Sequence, residues 1–152
     1  LVWAENVVRH TNKPVLILTP LAVSQQTVQE AEKFDIKCYR SRDGEIHKGI
    51  NVTNYEKLHY FNPDDFAGVV CDESSILKSY DGTRRGEITN FMRKMSYRLL
   101  CTATAAPNDY IELGTSSEAL GEHSGVGYVH GRGQSANRQT WALMMAASFC
   151  RR

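Results

Sequence analysis

The chain is expected to fold as an α/β domain around a mostly parallel sheet. Three observations carry that expectation. Short, continuous aliphatic runs at Val15–Leu18 and Gly68–Cys71 read as strands buried on both faces, as the strands of parallel sheets are. Stretches with helical spacing separate such runs, so strand and helix alternate along the chain. Polar clusters follow three of the strands, at Thr19-Pro20, Asp72-Glu73 and Thr102-Ala103-Thr104. In open α/β sheets the carboxyl ends of the strands are where sites form.

The elements follow in order. Leu1–His10 sets Val2, Trp3, Asn6, Val7 and His10 on neighbouring helical turns with no capping residue ahead of them, as if the helix had begun upstream. Asn12-Lys13-Pro14 ends it and Val15–Leu18 is the first strand. Leu21–Phe34 is an amphipathic helix starting near Ser24, Ile36–Tyr39 a short strand, Ser41–Glu45 a polar turn and Ile50–Thr53 a third strand. A short helix at Tyr55–Tyr60 and a cap at Asn62-Pro63-Asp64-Asp65 lead to the strand Gly68–Cys71. Asp72–Asp81 reads as a loop. Thr83–Lys94 is a helix with Ile88, Phe91, Met92 and Met95 at i, i+3, i+4 and i+7, Tyr97–Thr102 a strand, and Asn108–Leu113 a last short helix.

Composition narrows the class. With 41% hydrophobic and 23% charged residues in 152, the chain is of ordinary globular make-up and has room for one core. No apolar run reaches the roughly 18–20 residues of a membrane span, and Glu5, Arg9 and His10 interrupt anything like a signal peptide. The cysteines, Cys38, Cys71, Cys101 and Cys150, form no CxxC pair and read as reduced thiols of a cytoplasmic protein. Charge nearly cancels, 18 Lys and Arg against 17 Asp and Glu, but four of those bases and only one of the acids lie in residues 121–152.

Asp72-Glu73 carries the most chemistry. Two adjacent carboxylates at the rim of a buried strand should point differently, because strand side chains alternate. One can then hold magnesium while the other orients or deprotonates an attacking water, the division that phosphoryl transfer uses. The competing reading is an acidic helix cap after a core strand. The second cluster, LLCTATAAP at 99–107, places small hydroxyls after the next strand, where they could couple a carboxylate to another element; the competing reading is a threonine-rich loop.

In order and spacing, VLILTP, INVTNYEKL, VVCDESSILK and YRLLCTATAAPNDYIELG resemble the first RecA-like lobe of superfamily 2 helicases, nearest the DEAD/DEAH-like and chromatin-remodeller-like group. The resemblance covers residues 1–120 and implies a three-layer RecA-like, P-loop NTPase-type domain. It implies that Leu18, Thr19 and Pro20 form the nucleic-acid-touching motif Ia, and that Thr53, Asn54 and Tyr55 form motif Ib. Asp72 and Glu73 would be the Walker B carboxylates, Asp72 meeting Mg2+ through the nucleotide, and Thr102, Ala103 and Thr104 would be the coupling motif III. DESS departs from DEAD and DEAH at its last two positions. ATP, Mg2+ and DNA or RNA are the cofactors and partners so implied.

No G-x-x-x-x-G-K-[ST] phosphate loop occurs in the sequence, so no nucleotide-binding residues are assigned. In the family that loop precedes the helix with which this chain opens, and a second lobe supplies an arginine finger. The domain is therefore expected to be incomplete at its N-terminus, and the chain alone to hydrolyse ATP poorly or not at all. The strand Tyr97–Cys101 would then be an open edge, covered by residues 122–149 or by a second copy in a homodimer.

Residues 121–152 form a separate Gly-rich tail ending in a short helix that carries Trp141, Leu143, Met144, Met145 and Phe149. GVGYVHGRGQ lacks the Gly-Lys-Ser/Thr core of a phosphate loop. Glu122, His123 and His130 read as a metal set or as solvated side chains. Arg132, Arg138, Arg151 and Arg152 read as phosphate contacts or as soluble surface. Two other functions stay open at this level: a non-catalytic nucleic-acid- or protein-binding module, and an unrelated hydrolase using Asp72 and Glu73.

Overall fold

The computed structural model describes residues 1–101. Within them lie helices α1 (Val2–Thr11), α2 (Ser24–Lys33) and α3 (Gly82–Arg93) and strands β1 (Val15–Thr19), β2 (Cys38–Arg40), β3 (Ile50–Asn54), β4 (Gly68–Cys71) and β5 (Tyr97–Leu100). Every strand pairing is parallel, in the order β2-β3-β1-β4-β5. The fold is the α/β class expected, consistent with a RecA-like three-layer domain.

The layers follow from strand alternation. Val15 and Ile17 of β1, with Ile50 and Val52 of β3, pack with Ala4 and Val7 of α1 and with Ala31 at the end of α2. Leu16 and Leu18, with Val69 and Cys71 of β4, face the other way, onto Ile88, Phe91 and Met92 of α3 and onto Tyr55 and Leu58. A central strand with both faces covered must be apolar throughout, and β1 and β4 are buried along their whole length. Close approach sets the β4–β5 pairing: a Cβ on Gly68 would lie 2.9 Å from the Tyr97 carbonyl oxygen and Cβ.

The boundaries differ from expectation where backbone chemistry is subtle. β2 starts at Cys38 because α2 ends in a Schellman motif: Asp35 takes φ 55°, Asp35 N–H reaches the Glu32 carbonyl at 3.1 Å, and Ile36 N–H reaches Ala31 at 2.9 Å. Ile36 is thereby a buried staple on α2 rather than a strand residue. The segment expected as a loop after β4 contains a 3-10 helix at Ser74–Lys78. Tyr55–Tyr60 is likewise a 3-10 helix, capped by the Asn54 side chain, which accepts from Lys57 N–H at 3.1 Å.

At the sheet margins, β2 pairs only with β3 and β5 only with β4 among the described residues. None of the described helices is long and apolar enough to cross a membrane. The expected helix at Asn108–Leu113, the triplet Thr102-Ala103-Thr104 and the whole tail from 121 lie outside the described residues.

Candidate functional site

The carboxyl ends of β3, β1 and β4 form one rim. Leu18 is in register with Thr53 on one side and Cys71 on the other, and Thr19 with Asn54. Thr53 and Cys71 are therefore two strand spacings apart, about 10 Å. Asp72 follows directly, and its N–H extends the ladder by donating to the Leu18 carbonyl at 2.8 Å.

The acidic pair stands just beyond the strand. β4 ends at Cys71, so it is a turn and not strand alternation that separates the two carboxylates. Glu73 adopts φ 48°, ψ 48°, a left-handed conformation that costs a non-glycine residue roughly 1–2 kcal/mol. Its side chain is exposed while Asp72 is half-buried, and no hydrogen bond or ion pair to either carboxylate occurs among the described residues. The turn is held through its backbone. Tyr55 Oη donates to the Asp72 carbonyl at 2.6 Å, and Ser74 N–H donates to the Cys101 carbonyl at 2.8 Å, bringing the end of β5 against the turn.

Three hydroxyls at this rim are anomalous. Thr19 (0% exposed), Thr53 (2%) and Ser74 (1%) each bury an oxygen with no hydrogen-bond partner among the described residues. Such a group costs on the order of 1–3 kcal/mol and calls for an explanation. They do not share one cavity: alternation turns Thr19 toward the α1–α2 layer with Val15 and Ile17, and Thr53 toward the α3 layer. Beyond Thr19, α2 begins at Ser24 with Val23 as its N-cap residue and no side-chain cap, so its first N–H groups have no side-chain acceptor.

Of the other residues singled out from sequence, Leu18 is core and Pro20 half-buried. Asn54 spends its side-chain oxygen on its cap. Tyr55 is 2% exposed, with its ring edge-on to Tyr80 at 6.0 Å. Tyr80 in turn donates to Glu56 at 3.3 Å and carries the Arg84 guanidinium 5.3 Å from its ring centre. Sequence reading missed both Ser74 and this brace; the signal for the brace was an aromatic, Tyr80, seven residues past Glu73.

As a cation site, the rim offers hard oxygen donors. Among the described residues no three potential ligands converge on a metal-ligand group. Asp72, with Ser74 beside it, fits magnesium only in the manner usual for that ion, as one or two protein oxygens in a shell completed by water and phosphate. The thiols suit no such role. Burial pushes Cys71 up from 9.0 to about 12, the Tyr55 hydrogen bond opposing it, and burial takes Cys38 to about 11. Burial also raises Cys101, with the Asp72 charge adding to it. Burial likewise lifts the Tyr55 phenol well above 10.0, Cys71 and Asp72 contributing. These groups are protonated at neutral pH and are not nucleophiles.

Neither a search of protein-family profiles nor a search of curated proteins returns a match to the chain.

The thiol shifts set a pH dependence of stability. A group whose folded pKa lies above its unfolded value stabilises the fold fully below the unfolded value and ceases to do so as pH rises through the folded one. The melting temperature should fall from about pH 9 toward 12, more steeply in the wild type than in Cys71→Ala. Parallel profiles for the two proteins would contradict that assignment.

Proposed function

We propose that residues 1–120 are a motor lobe of the superfamily 2 helicase type, part of an ATP-dependent nucleic-acid translocase. The observation that carries the reading is the set of buried, unpaired hydroxyls of Thr19, Thr53 and Ser74 at the strand ends that also present Asp72-Glu73. Thr19 and Thr53 sit within the segments that resemble motifs Ia and Ib. A phosphodiester at the rim would give Thr19 an acceptor and α2's first amides an anion. Asp72 would hold the magnesium of a bound nucleotide, and Glu73 would orient or deprotonate water; Thr102-Ala103-Thr104 would couple the two ends. With no phosphate loop in its 152 residues, the chain alone turns ATP over slowly, and nucleic-acid binding is the property to measure first. That same lack favours a second reading, a non-catalytic nucleic-acid-binding module on the same rim.

The test separates fold from function. Replacing an unpaired buried hydroxyl by a methyl of the same shape is neutral or stabilising to a fold. Thr19→Val and Thr53→Val should therefore melt at or above the wild-type temperature. Each should also bind DNA or RNA about tenfold more weakly, the loss of one hydrogen bond to a charged group. Binding should weaken with salt. Unchanged affinity in both variants would remove the rim from nucleic-acid binding, and ATP turnover at several per second by the purified chain would contradict the slow-turnover reading.

The β5 edge supports a homodimer in the same framework. Its outer side has no strand partner among the described residues, and Tyr97–Leu100 are half-buried with apolar neighbours on both faces. A second copy pairing there should give a dimer mass in light scattering; a strict monomer at all concentrations would exclude it.

A further inference from the structure

The opposite margin of the sheet carries a feature that the strand-end rim does not use. Asn51, in the middle of β3, is fully buried, a costly place for an amide unless it is satisfied. Every side-chain bond it makes is spent on one surface loop. Its Oδ1 accepts from Ser41 Oγ at 3.1 Å and from His47 N–H at 2.8 Å; its Nδ2 donates to the His47 carbonyl at 2.9 Å and to Gly49 at 3.4 Å. Lys57 Nζ ties the same loop from outside, donating to the Arg42 carbonyl at 2.7 Å and to Asp43 at 3.1 Å.

What this scaffolding holds in place is His47, gripped at both its N–H and its carbonyl. Its ring lies flat on Tyr39 of β2, with centroids 4.6 Å apart and planes at 17°. Both side chains are exposed. A second exposed ring pair, His59 and Tyr60 at 4.1 Å, adjoins the same loop: a Cβ on Gly44 would lie 3.0 Å from the Tyr60 carbonyl. Tyr39 and Tyr60 keep 37% and 53% of their surface exposed, so the fold covers each of them only in part. Around them Arg40, Arg42 and Lys48 are exposed and make no ion pair among the described residues, whereas Asp43 is paired with Lys57 and the exposed Glu45 carboxylate lies 4.0 Å from His47 Nε2.

We infer that the Tyr39–His47 stack and the basic residues beside it form a platform for single-stranded nucleic acid, with a base stacking on the exposed ring face and the backbone running along Arg40, Arg42 and Lys48. Stacking on aromatics combined with a basic track is how sequence-tolerant single-strand binding works. A duplex hides its base faces and would meet only the charges. Because Asn51 fixes the loop before binding, little ordering cost falls on association. β2 runs parallel to β3, so Arg42 follows the carboxyl end of β2 and stands on the side of the sheet where Thr53 and Thr19 lie. Tyr39 is level with Asn51 and Lys48 precedes the amino end of β3, so the platform runs from the rim at Arg42 down the β2 margin, and the inference rests on the nucleic-acid reading of that rim.

The test compares, by fluorescence anisotropy on the full chain, a thymidine oligomer with an abasic oligomer of equal length and charge. Wild type should prefer the base-bearing strand by about tenfold for each stacked base. Tyr39→Ala should bind both strands equally, at the abasic affinity, and Tyr39→Phe should restore the preference. Arg40→Gln should weaken both equally and lower the salt slope by about 0.7. Equal binding of the two strands by wild type overturns the platform without recourse to any variant. If thymidine binding drops in Thr19→Val yet the strand preference survives Tyr39→Ala, the rim stands and the platform falls. Polyglutamate competing as well as thymidine would assign the surface to acidic proteins instead. Binding of neither oligomer would end both readings.

Discussion

The position of the acidic turn depends on one extension of the central ladder. After β4 ends at Cys71, Asp72 N–H still reaches the Leu18 carbonyl at 2.8 Å, and Tyr55 Oη holds the Asp72 carbonyl at 2.6 Å. The peptide after the strand is therefore pinned on both of its polar groups, one from β1 and one from the 3-10 helix behind β3. With its backbone so fixed, the chain leaves the sheet in a left-handed step at Glu73, and among the described residues neither carboxylate is used to hold the turn.

The same logic runs through the rest of the rim. A protein interior normally satisfies its hydroxyls, and each exception lowers stability by an amount comparable to a lost hydrogen bond. Among the described residues, Thr19, Thr53 and Ser74 are three exceptions within a few residues of the ends of three adjacent strands. Asn51 shows the converse at the β2 margin: a buried amide fully satisfied, by a loop that needs to be still. Unsatisfied hydroxyls thus cluster at the rim, while the amide beneath the loop has all four of its hydrogen-bonding positions filled.

The parallel sheet was legible because buried strands write themselves as aliphatic runs, and Val15–Leu18 and Gly68–Cys71 could be little else. α2 was legible to within a residue or two from its spacing. Local backbone geometry was not. A left-handed Asp35 closes α2 and converts Ile36 from strand to staple, and no glycine marks the position. Glu73 hides its left-handed turn in the same way, since an acidic residue there reads as chemistry and not as conformation. Of the site, the placement of Asp72, Glu73, Thr19 and Thr53 at strand ends could be read. That Tyr55 faces inward to hold Asp72, and that Asn54 caps a 3-10 turn, could not, because both depend on contacts between segments 17 residues or a helical turn apart.

The turn fixes the Glu73 backbone in a left-handed conformation without using its side chain among the described residues. Replacing Glu73 by glycine tests this most directly. Glycine removes the left-handed penalty of roughly 1–2 kcal/mol and adds an unfolded-state entropy cost of about 0.5–1 kcal/mol. Denaturant unfolding should therefore find Glu73→Gly at least as stable as wild type, with a gain of up to about 1.5 kcal/mol. A clear loss of stability would mean that the Glu73 side chain serves the fold, contradicting the claim.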